Sequence, residues 1–281
     1  MALRPTRRDQ ALGAPSAAAL LLSILGEFVL PGDGTLWSAT AVAALGELGV
    51  EEMAARQALS RTARRGWLEA HRYGRRVQWQ LTPAGSSLLS QGAERIYGFG
   101  SSPVPWDGEW LLVFASVPEE RREIRHQLRN RLLWAGFGSF APSCWIATSA
   151  AGRESDARSV LAELDLLGTA TFFRGQLGSS TPPAVLANAA WDLESLAARY
   201  GTFLALCNEM RAAAPAINAF VAQTRLVHAW RRFPFLDPAL PVELLGRDWV
   251  GHLAVNAFRA LHDQLAPSAQ VAWEHLVATT S

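Results

Sequence analysis

The 281-residue chain contains no lysine: all 26 of its basic residues are arginine, set against 25 acids for a net charge of +1. A GC-rich coding sequence, with its accompanying alanine, accounts for that bias. Its chemical consequence is that every cationic contact is a planar fork suited to phosphate, carboxylate or guanine edges. Cysteine is scarce too. Cys144 and Cys207 lie far apart, which leaves no metal-ligand spacing and reads as two buried thiols in a reducing cytoplasm. His252, His262 and His275 show no ligand spacing either, so no metal is expected. The chain also lacks a G-x-S-x-G elbow, an H-E-x-x-H pair, a Gly-rich dinucleotide fingerprint and a convincing Cys/His pair. No catalytic residue, no enzymatic activity and no cofactor are therefore expected.

A long apolar run is missing as well. The best candidate, "AAALLLSILGEFVL", is broken by Glu27 and is too short to cross a bilayer. Arg4, Arg7 and Arg8 precede it and "ATA" follows at 39–41, loosely like a signal peptide, but the intervening "PGDGTLW" makes the cleavage region too long. Ala17, Leu20, Leu21, Ile24, Leu25, Phe28 and Val29 instead follow a 3.6-residue period. The stretch reads as a first core helix in a soluble, cytoplasmic protein with no membrane partner.

At 49% hydrophobic and 18% charged, the composition is that of a globular protein long enough for two or three domains. Residues 15–97 alternate short helical patterns with one hairpin. "GFGSSPVPWDG" at 98–108 is a linker by its breakers. Then "WLLVFASV" reads as a strand, "PEERREIRHQLRNRLLWAG" as a helix, "PSCWIAT" as a strand, "ESDARSVLAELDLLG" as a helix and "TATFFRGQL" as a strand. That order points to a small ferredoxin-like sandwich. After "GSSTPP" at 178–183 the pattern is wholly helical. The expected class is thus a multidomain α+β protein. It has an N-terminal winged helix-turn-helix (1–97), a linker (98–109), a ferredoxin-like domain (110–180) and an all-helical C-terminal domain (181–281).

Residues 56–79 hold seven arginines and a single acid, Glu69. The helix expected over 52–65 explains the concentration. Ala55, Ala58, Leu59 and Thr62 form a narrow apolar stripe, while Arg56, Gln57, Ser60, Arg61 and Arg64 fall on the other side. One face can pack on the preceding helix, for which Ser38 is the expected N-cap and Gly49 the turn. The other face carries what a recognition helix needs: Arg for guanine, Gln for adenine, Ser for bases or phosphates. "WLEAHR" and "RVQWQL" then alternate around a three-residue "YGR" loop with Gly74 at a positive-φ position. Arg72, Arg75 and Arg76 crowd the tip, where a duplex would supply phosphates. "LTPAGSSLL" opens the next helix, with Thr82 as cap and Pro83 at N1.

Four blocks carry a resemblance: "ALSRTARRGWLEAHRYGRRVQWQLTPAG", "WDGEWLLVFASVPE", "LLWAGFGSFAPSCWIA" and "RRFPFLDPALPVELLGRDWVGH". In this order, over residues 15 to about 276, the chain resembles the PaaX-type regulators, repressors of phenylacetic acid catabolism and their relatives. The resemblance implies a homodimer on a palindromic double-stranded operator, released by an aryl-acyl-CoA, typically phenylacetyl-CoA. It places the DNA-reading helix on Arg56–Arg65 and the wing on Arg72–Arg76.

Candidate effector contacts lie further on. Arg129 and Arg131 flank the apolar exit that includes Trp134, and a CoA thioester needs cationic and apolar surfaces together. His228, Arg231 and Arg232 cluster beside Trp230 and Phe233. The competing reading of that cluster is a brace, with Asp237 paired to an arginine and Trp249 in the core. Two other functions fit parts of the pattern. A metal-dependent nucleic-acid enzyme would use the ferredoxin-like domain, but no converging carboxylates follow its first strand. A protein-interaction module would turn the arginine surface toward an acidic partner.

Overall fold

A computed structural model of the chain describes residues 15–101, 106–150, 152–178, 182–213 and 218–280. Arg4, Arg7 and Arg8 and part of each expected linker, residues 102–105 and 179–181, lie outside the described residues. The architecture is mixed α+β, with two small antiparallel sheets and a helical C-terminal region. Contacts divide the chain into two compact units, each assembled from separated segments. The first takes residues up to Phe99, Thr202–Arg231 and Val255 onward; the second takes Gly100–Gly201 and Arg232–Ala254. No described helix is long and apolar enough to cross a membrane.

The first unit opens with α1 (Ala17–Ile24), whose first turn is closed by Ser16 Oγ accepting from the Ala19 N–H at 3.2 Å. The helix continues through a π-turn, Leu25–Val29. Then follow β1 (Thr35–Trp37), α2 (Ser38–Glu47), α3 (Glu52–Arg64), β2 (Leu68–Tyr73), β3 (Arg76–Leu81) and α4 (Pro83–Gly98). The sheet order is β1–β3–β2, all antiparallel. Helix α3 buries the expected stripe, Ala55, Ala58, Leu59 and Thr62, against α1 and α2. The alanines allow close approach, and the buried Thr62 hydroxyl is satisfied by the Ala58 carbonyl at 2.8 Å.

Helix α4 starts as expected: Pro83 is in the first turn and Thr82 Oγ1 accepts from the Gly85 N–H at 3.0 Å. Gly85 is there because the chain doubles back tightly. A Cβ at this position would stand 2.2 Å from the Trp67 carbonyl oxygen.

Two local expectations need correction. The hairpin turn holds two residues, not three, because Tyr73 pairs with Arg76. Gly74, with φ of +60°, is its first residue, as a primed turn requires. Ser38 does not precede α2 as its cap but is its first residue. Its hydroxyl accepts the Trp79 indole N–H at 2.8 Å, tying α2 to β3.

The second unit contains β4 (Glu109–Phe114), α5 (Arg122–Trp134), β5 (Gly138–Ala141), β6 (Cys144–Thr148), α6 (Arg153–Glu163) and β7 (Thr171–Gln176). The strand missing from the sequence reading is β5. It is four residues long with a register shift between Ser139 and Ala141, so it carries no alternation to detect. The sheet order is β5–β6–β4–β7, antiparallel throughout. Leu111, Val113, Trp145 and Ala147 share a core with Leu128 and Leu132 of α5 and Ala157 and Leu161 of α6. Both cysteines are buried free thiols, and burial pushes Cys207 up to about 11.

Helices α7 (Pro183–Ala190), α8 (Leu193–Ala213), α9 (Ala219–Trp230), α10 (Phe233–Leu236), α11 (Val242–Leu245) and α12 (Val250–Thr280) complete the chain.

Candidate nucleic-acid interface

Helix α3 and the β2–β3 turn present the arginines the sequence singles out. Arg56, Gln57, Ser60, Arg61 and Arg64 are all exposed on α3, opposite the buried stripe. Arg56 is braced by Glu52 one turn earlier, at 2.8 Å, with both side chains more than half exposed. Such a surface pair contributes little and is easily exchanged for a phosphate. Arg61 donates to Gln57 Oε1 at 3.3 Å, an uncharged partner that leaves its positive charge in place.

Arg72, Arg75 and Arg76 are exposed on the hairpin. The Arg76 guanidinium lies 4.1 Å from the Trp37 ring centroid, and Tyr73 meets the same indole edge-on at 5.6 Å. The residue pair next to the turn is thereby held against Trp37 of β1, while Arg75 lies in the turn itself and is exposed.

Two exposed side chains on this surface escaped the sequence reading. Met53, 74% exposed, lies one turn before Arg56 and Gln57 on the same face of α3. Its position three and four residues from them was the available signal. Tyr73, 57% exposed, is not in the turn but is the last strand residue before it. Arg65, at the end of α3, stacks on Trp67 with 5.2 Å between guanidinium carbon and ring.

The residues singled out for an effector are more dispersed. Arg129, Arg131 and Trp134 lie on α5 of the second unit, and Arg232 opens α10, which packs on α5. His228 and Arg231 belong to the first unit. Several arginines in and just before α5 have partners within this unit. Arg121 binds the Leu164 carbonyl at 2.9 Å, Arg125 pairs with Glu119 at 2.7 Å, and Arg131 pairs with Glu163 at 2.5 Å. Arg129 is exposed, as is Trp134 at 66%. Among the described residues, no group of three or more His, Cys, Asp or Glu side chains could hold a metal ion.

The expected Asp237–arginine pair gives way to a different brace. Asp237 accepts from Tyr200 Oη at 2.6 Å and from the Ala239 N–H at 2.7 Å. The Tyr200 ring stacks on Phe233 at 4.3 Å. Burial raises the Asp237 carboxyl above its usual range, an effect the Tyr200 hydroxyl partly offsets. Tyr200→Phe should therefore cost about 1–3 kcal/mol, since it removes a donor from a buried acceptor while keeping the ring. Urea unfolding of the two proteins measures the difference.

Three family models match the chain in succession. They are the PaaX-like protein model over residues 16–85, the PaaX protein central Cas2-like domain over 103–187, and the PaaX-like protein C-terminal domain over 191–275. The transcriptional repressor PaaX of Escherichia coli K12 is 30% identical over 264 residues, covering 90% of this chain and 82% of that protein. Among solved structures, the uncharacterized protein Rv0674 from Mycobacterium tuberculosis superposes with a TM-score of 0.60 at 20% identity. That match covers 94% of this chain and 99% of the other, and it establishes a shared fold.

Proposed function

The chain belongs to the PaaX-like family, and from that premise we propose that it is a sequence-specific DNA-binding transcriptional repressor acting as a homodimer on a palindromic operator. The observation that carries the proposal is the exposure of both arginine-bearing features, the Arg, Gln and Ser face of α3 and the β2–β3 turn that follows it in the chain. The short turn between α2 and α3, the buried small-residue stripe and the hairpin after α3 support a winged helix-turn-helix. The βαββαβ order and the β5–β6–β4–β7 sheet support a ferredoxin-like second unit.

In this mechanism α3 enters the major groove. Arg61 and Arg64 reach base edges, Gln57 and Ser60 add hydrogen bonds, and Met53 offers an apolar contact for thymine methyls. Arg56 exchanges Glu52 for a phosphate, and Arg72, Arg75 and Arg76 hold the backbone beside the wing. An aryl-acyl-CoA such as phenylacetyl-CoA is the effector the family implies, with Arg129, Arg131, Trp134, His228, Arg231 and Arg232 as its candidate contacts. Release of DNA needs only that the ligand prefer the dimer state whose heads no longer match the operator.

Selection of genomic fragments on the immobilised full chain, followed by sequencing, tests the reading. One enriched palindrome is expected. Retention without sequence preference would remove specific repression. With that operator in hand, Arg61→Ala should lose about 1–3 kcal/mol of discrimination at one base position. Arg75→Ala should weaken all DNA alike and reduce the salt slope by about one. Identical effects would show that reader and wing are misassigned. Titration of the operator complex with phenylacetyl-CoA and other aryl-CoA compounds tests release, which fails if none of them dissociates it.

A further inference from the structure

One cleft in the first unit opens at the edge of its packed core. It encloses about 410 Å³, within the range of small-molecule pockets. Its inner wall contains Phe28 and Trp273, 7% and 6% exposed, whose rings stack at 5.4 Å. Half-buried Trp37 of β1 forms a second aromatic wall, already held in place by Arg76 and Tyr73. Gln78, which faces Trp37 across the β1–β3 register, adds an amide. The remaining wall is the last helix, α12.

The charged residues that line this cleft are of one sign, and the nearest cation, Arg76, stands against the Trp37 ring without lining it. Asp33 and Glu274 both line it, and no arginine or histidine does. Asp33 Oδ1 accepts from the Thr35 N–H and hydroxyl, each at 2.9 Å. Glu274 is steadied by Gln270 at 2.9 Å. Both carboxylates are thus oriented by uncharged donors. Aromatic walls within reach of fixed carboxylates favour a flat cation. They disfavour a polyanion such as a CoA thioester, whose phosphates would meet two like charges.

We propose that this cleft is a binding site for a small aromatic amine of one or two rings, a ligand of opposite charge to the acyl-CoA. Ring faces supply the affinity and the carboxylates select the charge. The site is next to the DNA-reading surface, because Trp37 touches both the cleft and Arg76. A ligand that repositions Trp37 moves a wing arginine with it; this consequence alone rests on the repressor reading.

The test uses the full chain without DNA, so its outcome is independent of that reading. Isothermal titration with tryptamine is compared with indole-3-acetate, the same ring with the opposite charge. Tryptamine should bind about tenfold tighter, the order expected when two exposed carboxylates act on a unit charge. Glu274→Arg should remove or invert that preference. Ala278→Trp, on the exposed side of α12 at the cleft, should abolish binding while the melting transition stays in place. No binding by the wild-type protein, equal binding of both ligands, or undiminished binding by a folded Ala278→Trp protein would each overturn the proposal.

Discussion

Glu27→Ala should lower the unfolding free energy by about 3 kcal/mol, the lower end of the cost of breaking a buried charged pair. Glu27 sits in the π-turn after α1 with its side chain 9% exposed. One carboxylate oxygen accepts from Gln223 Nε2 at 2.7 Å and from His262 Nε2 at 2.8 Å; the other accepts from the Tyr97 hydroxyl. Alanine would remove the partner of three polar groups at once, the buried Gln223 of α9 and the half-buried Tyr97 of α4 and His262 of α12. The imidazole can shed its proton when its partner is lost, which keeps the cost at the low end of the range.

The same cluster sets a pH signature. Burial alone would raise the Glu27 carboxyl, but hydrogen bonds from His262, Tyr97 and Gln223 outweigh it and hold the group below its ordinary value of 4.5. Burial alone would lower His262, but Glu27 and then Asp263 outweigh it and raise the ring above 6.5. The His262 contribution is present in full below the unfolded value and is lost as pH rises through the raised folded one. The Glu27 contribution is present in full above its unfolded value and is lost as pH falls through the depressed one. The difference between wild type and Glu27→Ala should therefore be largest between pH 4.5 and 6.5 and shrink on both sides. Urea unfolding at pH 5.5 and at pH 8.5 measures it; a difference that grows with pH would refute the assignment.

This cluster marks the boundary of what the sequence made legible. Glu27 was visible only as an interruption of an apolar run, because its partners Tyr97, Gln223 and His262 lie 70, 196 and 235 residues away. Features encoded within one or two turns were readable. The stripe of α3 follows helical period, the Thr82–Pro83 start of α4 is a local cap, and Gly74 answers a local demand on φ. The exposed arginine face is simply the complement of that stripe, so it came with it. Ser38 looked like a cap because Ser favours caps, yet a tryptophan 41 residues later claims its hydroxyl. The sequence does not show that Glu163 stands opposite Arg131, because the two lie 32 residues apart. Long-range polar pairing decides which arginines serve the fold and which face outward, and periodicity carries no information about it.

The second large effect concerns Trp230, which the sequence sets beside the His228, Arg231 and Arg232 cluster, where a packing role is weighed against a ligand-stacking one. It is fully buried, 4.7 Å from Phe258 in near-parallel stacking and 5.1 Å from Phe203, with Phe99 at 6.0 Å. Its indole N–H donates to the Ile96 carbonyl at 3.2 Å, joining α9 to α4. Trp230→Ala should cost about 3–5 kcal/mol, the range for emptying a buried aromatic site. Trp230→Phe keeps most of the stacking and should cost less, about 1–2 kcal/mol, chiefly by leaving the Ile96 carbonyl without its donor. The pair of variants separates the two readings. A packing residue predicts graded losses in urea unfolding, with an unchanged effector concentration for half-release in the stable Trp230→Phe protein. A ligand-stacking residue predicts the reverse, near-normal stability with a displaced effector response. The closed ring of aromatic neighbours places Trp230 in the first class, so the graded stability loss is the expected result.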